Sequence, residues 1–148
     1  PSAKERLDGY RRALIEAGLE PDDRLIFGAG STIEDGEKAG LQLLQERPGA
    51  TAVQAVNDLV AMGAASVLLN QGLVIPRDVS VAGFGNILSS EYFRVPLTTV
   101  RQPKLRLGVA AIDTMFKMID GLPIEPKRIP GEIAVRQSTG APPATPVI

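Results

Sequence analysis

Apolar and polar residues recur along the chain with two different periods, which predict helices and strands in turn. Residues 3–18 place apolar side chains at helical spacing and predict a first helix that ends at Gly18. Two further helices are predicted over residues 33–46 and 59–71. Short apolar runs predict buried strands at residues 25–27, 52–56 and 80–84. Because strands and helices alternate across short connections, we expect an α/β fold with a mostly parallel sheet.

The last third of the chain departs from this order. Residues 98–100 and 133–135 predict short strands on either side of an amphipathic helix over residues 103–120. The apolar side chains of that helix form one stripe: Leu105, Val109, Ile112, Phe116 and Ile119. The segment 141–148 has three prolines within its first six residues, and we expect a tail that packs poorly.

Polar residues and glycine follow two of the predicted strands, at the position where open α/β sheets bind ligands. Asn57 and Asp58 follow the second strand, and Gly85 and Asn86 follow the third. These residue types are also ordinary helix caps and turn residues, so the spacing leaves both interpretations open. We expect Asp58 to cap the third helix and Asn57 to point over the strand ends.

A glycine-rich turn at residues 28–30 precedes the second helix, which Ser31 and Glu34 are predicted to cap as a capping box. A dinucleotide-binding fingerprint would stand here, but Ile33 occupies the place of its third glycine. An α/β enzyme with a nucleotide cofactor is therefore the weaker alternative. No catalytic constellation stands out, and we expect neither an enzyme nor a cofactor.

Composition narrows the functional classes further. The chain has 148 residues, with 16 Lys and Arg against 17 Asp and Glu and a formal charge of −1. A domain that binds DNA through its phosphates is usually more basic, so we expect that this chain alone does not bind DNA. It contains no Cys and no His, which excludes disulfides, thiolate nucleophiles, His-metal sites and Ser-His-Asp triads. No apolar run approaches the roughly 20 residues of a membrane span.

Five segments in series resemble the effector-binding domain of lactose-repressor/galactose-repressor (LacI/GalR) family transcription regulators. They begin with Arg-Leu-Asp-Gly-Tyr-Arg-Arg-Ala-Leu at residues 6–14 and Val-Asn-Asp-Leu-Val-Ala-Met-Gly at residues 56–63. The others lie at residues 75–86, 96–103 and 135–140. The resemblance runs from about residue 4 to residue 143 in the family's order.

This resemblance implies one lobe of a two-lobed, Rossmann-like domain of the periplasmic-binding-protein-like type, with a parallel sheet covered by helices on both faces. Residues 1–101 would form the C-terminal lobe and residues 102–125 the crossover and a helix of the N-terminal lobe. Residues 126–140 would return to the C-terminal lobe, and residues 141–148 would form the tail. The chain does not begin with Met, and we expect a fragment without the family's helix-turn-helix domain and without most of the N-terminal lobe.

The resemblance also implies which residues bind a small effector. Arg6 matches the arginine that reaches the effector in several relatives, Asn57 matches an asparagine of the cleft, and Gln102 lies at the lobe crossover near the pocket. Ser31 stands where relatives often carry an aromatic ring. Gly85 stands where many carry an aspartate: either Asn86 replaces that acceptor, or the effector is of a different kind, or effector control is weak. Members of the family are dimers, and the matching surface would contain Leu59, Met62, Phe93 and Leu97, although the spacing of Met62 also suits a core residue.

The function implied is that of a fragment of an effector-responsive, DNA-binding transcription regulator of the cytoplasm. This part would bind a sugar or a purine-like molecule and form a homodimer, and the missing N-terminal domain would bind operator DNA. We expect no membrane association. The alternative is a periplasmic solute-binding protein of a sugar transporter, which shares the fold; residues 96–102 and 135–140 favour the regulator.

Overall fold

The computed structural model describes residues 2–28, 30–46 and 48–148. Five helices are found there: α1 (Ala3–Glu16), α2 (Ile33–Glu46), α3 (Asp58–Asn70), α4 (Leu88–Glu91) and α5 (Lys104–Ile119). The strands are β1 (Ala52–Gln54), β2 (Ser80–Phe84), β3 (Thr98–Arg101) and β4 (Glu132–Ala134). A short 3₁₀ helix spans Asp23–Leu25. Ala29, the middle residue of the glycine-rich turn, lies outside the described residues.

The four strands form one mixed sheet in the order β1-β2-β3-β4. The first three strands are parallel, with Val53 beside Val81 and Gly83 beside Thr99. β4 is antiparallel to β3. The expected α/β fold with a mostly parallel sheet is confirmed. The one antiparallel strand, β4, lies at an edge of the sheet.

Neighbouring residues of a strand point to opposite sides, and at the end of β2 each side is contacted by a different helix. A Cβ added to Gly83 would overlap the carboxylate of Asp58, so α3 packs against that face. The next residue, Phe84, faces the other way, and Arg6 of α1 lies over its ring. At the end of β2, α3 therefore packs against one face, and α1 contacts the other through the Arg6 side chain.

The hydrophobic core lies between α3 and the sheet. Its fully buried members include Ala61, Ala65 and Leu68 of α3 together with Val81 and Leu97. α2 packs on the other side of α3 through small residues: a Cβ on Gly36 would overlap the backbone of Val60, and one on Gly63 the backbone of Ile33. Glycine at these positions permits a close approach of the two helices that alanine would prevent.

The strand predicted at residues 25–27 is wrong. Asp22 caps the 3₁₀ turn that takes up Leu25: its carboxylate accepts hydrogen bonds from the backbone N–H of Arg24, at 3.0 Å, and from the Arg24 guanidinium. Phe27 packs against the core from an irregular segment. A turn fixed by its own side chains thus replaces the extended conformation that the apolar run suggested.

The capping box of α2 lies one residue later than predicted. Thr32 Oγ1 accepts from the backbone N–H of Asp35 at 3.2 Å, and Asp35 Oδ2 accepts in return from the N–H of Thr32 at 3.0 Å. The Ser31 N–H also donates to Asp35, at 2.9 Å. Ser31 and Glu34 therefore do not form the capping box, because the carboxylate of Asp35 accepts hydrogen bonds from the backbone N–H groups of Ser31 and Thr32.

The C-terminal segment packs better than predicted. Ile148 is 4% exposed and belongs to the hydrophobic core, although most of residues 141–147 are exposed. A proline-rich composition therefore does not prevent the last apolar side chain from reaching the core.

Helix α5 has no buried residue, and its apolar stripe faces outward. All five predicted members of the stripe are exposed, up to 82% for Leu105. No helix among the described residues is long and apolar enough to cross a membrane.

Candidate functional site

The carboxyl ends of β1, β2 and β3 lie side by side, because the three strands are parallel. The residues that follow them, 55–58, 85–87 and 102, form what we call the carboxyl edge. Four of the six predicted effector-binding residues, Asn57, Gly85, Asn86 and Gln102, lie on this edge. The Ser31 carbonyl bonds to Asn57, and Arg6 lies over the ring of Phe84, the residue before Gly85. This is the edge at which open α/β sheets bind ligands.

Arg6 reaches the carboxyl edge from α1. Its guanidinium carbon lies 4.7 Å from the centre of the Phe84 ring, within the range of a cation–π interaction. Ser2 and Glu5 form a capping box at the start of α1 and so fix the turn that carries Arg6. Because Phe84 is the last residue of β2, this contact lies at the carboxyl end of that strand.

Asn57 is the N-cap of α3. Its Oδ1 accepts a hydrogen bond from the Val60 N–H at 2.8 Å, and its Nδ2 donates to the carbonyl of Ser31 at 2.9 Å. The predicted division of labour with Asp58 is wrong, since Asn57 does the capping and Asp58 points into the sheet. The Asn57–Ser31 bond joins the start of α3 to the segment before α2.

Asp58 is the buried member of the carboxyl edge, with 1% of its surface exposed. Its carboxylate accepts from the Thr99 hydroxyl at 2.5 Å and from the Ile87 N–H at 2.8 Å. A buried charge is costly unless it is hydrogen-bonded, and these donors together with the N-terminus of α3 supply the compensation. The sequence signal for this buried carboxylate is the pair of glycines at the end of β2 and in the loop after it, Gly83 and Gly85. Gly83 has no side chain and therefore leaves room for the Asp58 carboxylate.

Gly85 and Asn86 turn the chain sharply after β2. Both have positive φ, +127° at Gly85 and +50° at Asn86. The first value lies outside the range that other residues adopt without strain, whereas asparagine tolerates the second. The backbone conformation at position 85 therefore favours glycine over any residue with a side chain.

Arg136, which no sequence pattern singled out, holds the side chain of Asn86. Its guanidinium donates to Asn86 Oδ1 and to the carbonyl of Leu97, both at 2.8 Å. Longer contacts of 3.4 Å reach the Ser90 hydroxyl and the Glu91 carboxylate. The Arg136 side chain is 13% exposed. The acceptor oxygen of Asn86 is thus occupied within the protein.

Gln102 and Ser31, the two other predicted residues, are held through their backbones. Gln102 follows β3 and is half-buried, and its carbonyl accepts from the N–H of Lys104 at 2.8 Å. Ser31 is exposed, and its carbonyl bonds to Asn57. The hydrogen bonds from Ser31 and Thr32 lower the pKa of the neighbouring Asp35, with the Thr32 N–H as the largest cause.

The predicted dimer residues divide by burial. Leu59 is exposed, and Met62 and Phe93 are half-buried against the core. Leu97 is 0% exposed, so its side chain is part of the core and the prediction that it contributes to a contact surface is wrong. No cluster of acidic side chains that could hold a metal ion occurs among the described residues.

Residues 1–139 match the model of the periplasmic binding protein-like domain family. The chain is 36% identical over 118 residues to the HTH-type transcriptional regulator MalR of Clostridium butyricum, covering 77% of this chain and 34% of that protein. It is 40% identical over 115 residues to the HTH-type transcriptional repressor PurR of Vibrio atlanticus, covering 78% and 34%. The chain spans about a third of the length of these curated relatives.

Solved structures give the same result. The transcriptional regulator CelR in complex with cellobiose superposes with a TM-score of 0.83 at 35% identity, over 90% of this chain and 42% of that one. The transcription regulator CcpA of Lactococcus lactis superposes with a TM-score of 0.83 at 32% identity, over 93% and 51%. The fold, its order of elements and these relatives agree with the resemblance of the five sequence segments. The chain therefore belongs to the periplasmic binding protein-like domain family, in the form found in LacI-type transcription regulators.

Proposed function

We propose that this chain is the effector-binding part of an effector-responsive, DNA-binding transcription regulator, and that the effector binds at the carboxyl edge. The observation that carries the proposal is that Arg6 contacts the end of β2 while Asn57 and Gln102 follow β1 and β3, in a chain whose curated relatives are transcription regulators. Arginine offers a planar fork of donors, and the two amides both donate and accept, which suits a polar small molecule.

A sugar or a purine-like molecule is the ligand class that we propose. The cellobiose complex of the related CelR supports a sugar. Gly85 supplies no side chain, and the oxygen of Asn86 is bonded to Arg136. The oxygen of Asn57 is likewise bonded to the Val60 N–H, and one N–H of its amide donates to Ser31. Arg6, the Phe84 ring, Gln102 and the second N–H of the Asn57 amide, with Ser31 at the rim, are therefore the groups that would recognise the ligand.

The remaining parts of the proposal concern assembly and DNA. A homodimer would form through the surface of Leu59, Met62 and Phe93. Residues 102–125 would belong to a second lobe, which would cover the exposed stripe of α5. With a net charge of −1, this chain would leave operator binding to another part of the protein, in the cytoplasm, and it would have neither catalytic activity nor a cofactor.

A ligand titration of the full-length protein tests the proposal. The probes are cellobiose, other disaccharides and purine bases, followed by calorimetry and by operator affinity with and without each probe. We expect one class to bind and to change operator affinity. Arg6→Ala should weaken that binding roughly tenfold, as the loss of a charged hydrogen bond predicts.

Arg12→Ala is the matched control, because Arg12 lies on the same helix with a 78% exposed side chain and pairs with Glu16. It should leave the dissociation constant unchanged. Failure of every probe to bind, or equal affinity in wild type and Arg6→Ala, would overturn the proposal. The gene sequence upstream of residue 1 separates the alternative function, since a helix-turn-helix indicates a regulator and a signal peptide a periplasmic binding protein.

A further inference from the structure

The segment of residues 85–87, which we call the β2 loop, is tied to its neighbours by every one of its backbone N–H groups. Those of Gly85, Asn86 and Ile87 donate to the Val100 carbonyl at 3.0 Å, the Thr99 hydroxyl at 3.3 Å and the Asp58 carboxylate at 2.8 Å. These bonds fix the loop from the side of β3 and α3. None of them uses the Asn86 side chain, whose oxygen accepts a hydrogen bond from Arg136 instead.

Arg136 makes that contact from a distant part of the chain. One arm of its guanidinium donates to Asn86 Oδ1 and the other to the Leu97 carbonyl, both at 2.8 Å. A guanidinium is a rigid planar fork, so the position of one acceptor is fixed relative to the other. The position of the Leu97 carbonyl is well fixed because Leu97 is fully buried and directly precedes β3.

We propose that Arg136 is a positioning residue for ligand binding at the carboxyl edge. Its guanidinium fixes Asn86, and through Asn86 it fixes the β2 loop beside Phe84 and Arg6. This inference rests on the proposed function. Asn86 has a φ of +50°, in the left-handed region, and its side-chain bond to Arg136 is one of the contacts that hold it there. Without that bond only the three backbone hydrogen bonds would hold the loop, and whatever ordering was left to the ligand would reduce its affinity.

Two variants remove the bond from opposite sides. Arg136→Met keeps an apolar stem and removes every donor, whereas Asn86→Gly removes the acceptor and keeps a residue that tolerates positive φ. Asn86→Gly leaves the other contacts of Arg136 in place, so it remains informative if Arg136→Met folds poorly. Arg77→Met is the control, because Arg77 also bonds a carboxylate, that of Asp78, before the opposite end of β2.

The measurements are amide hydrogen exchange of residues 85–87 and the dissociation constant of the probe that wild type binds, in the full-length protein. We expect exchange about tenfold faster and binding about tenfold weaker in Arg136→Met and Asn86→Gly, with no change in Arg77→Met. The double variant should be no weaker than the weaker single variant, because both remove the same bond.

Unchanged exchange in both variants would overturn the inference without reference to any ligand. It would also be overturned by faster exchange with an unchanged dissociation constant, which would leave Arg136 a purely structural role, or by additive losses in the double variant. Failure of wild type to bind any probe would instead overturn the proposed function, and this inference with it.

Discussion

The carboxylate of Asp58 accepts a hydrogen bond from the hydroxyl of Thr99 at 2.5 Å, although the two residues are 41 positions apart. This bond joins the first turn of α3 to the middle of β3, across the end of β2. Together with the bond from the Ile87 N–H, it gives each oxygen of the buried Asp58 carboxylate a hydrogen-bond donor. The position of the edge relative to α3 therefore depends on polar contacts as well as on the apolar core.

The first prediction concerns this buried acid. Asp58→Ala should lower the free energy of unfolding by at least about 2 kcal/mol, because two buried donors lose their acceptor. Thr99→Val should cost about 1–3 kcal/mol, and the double variant should cost less than the sum because the residues share a bond. Urea unfolding measures all three. Asp8→Ala, on the exposed side of α1, is the control, and a similar loss in that variant would contradict the specific role of Asp58.

The second prediction compares two glycines. Gly83→Ala should destabilise the protein by about 1–3 kcal/mol, because the added Cβ would overlap the Asp58 carboxylate. Gly9→Ala should stabilise it by about 0.5–1 kcal/mol, since Gly9 lies within α1 and a Cβ there meets nothing within 4 Å. Thermal or urea unfolding would show the two variants on opposite sides of wild type, and equal shifts would refute the packing assigned to Gly83.

The third prediction concerns pH. Hydrogen bonds from Thr32 and Ser31 lower the pKa of Asp35 below its ordinary value of 3.8. Since the pKa is lower in the folded state, Asp35 stabilises the protein above that ordinary value, and the stabilisation is lost as pH falls through the lowered pKa. Asp35→Asn should therefore be less stable than wild type near neutral pH, and the difference should shrink in strong acid.

Thr32→Ala provides the internal check on this pH dependence. It removes the hydroxyl partner of Asp35 but leaves the charge, so unfolding curves between neutral and acid pH should show a smaller dependence than wild type. An Asp35→Asn variant whose deficit stays constant at all pH values would contradict the assignment.

The fourth prediction concerns α5. With its apolar stripe exposed, the 148-residue chain should self-associate in a concentration-dependent manner. Replacing Val109 and Phe116 with Lys should shift sedimentation toward the monomer. The same exchange at Leu59 and Phe93 tests the other candidate surface. A monomeric wild type at tens of micromolar would exclude both.

The sequence predicted a helix or strand correctly where its periodicity alone determines the conformation. The bounds of α2 and β2 follow from helical periodicity and from a short apolar run, and the structure reproduces them. The strand at residues 25–27 failed because an Asp22–Arg24 turn competes with extension at the same place. Its apolar residues gave no indication of that competition.

The sequence predicted where the site lies in the fold but not which hydrogen bonds its side chains make. The ends of parallel strands indicated Asn57, Gly85 and Asn86, but Asn and Asp both cap helices, so sequence could not decide which one turns inward. That choice depends on the space at Gly83 and on the Thr99 hydroxyl. Arg136 escaped detection because its partner Asn86 is 50 residues away.

Both outer strands of the sheet, β1 and β4, are three residues long. Short edge strands offer few free N–H and C=O groups, which limits the pairing of one sheet with another. Contacts between copies of this chain should therefore be made by side chains on helices and loops, and they should reverse on dilution. Amide-I infrared spectra at rising protein concentration should accordingly show no growth of intermolecular β-sheet bands, even where sedimentation detects larger species.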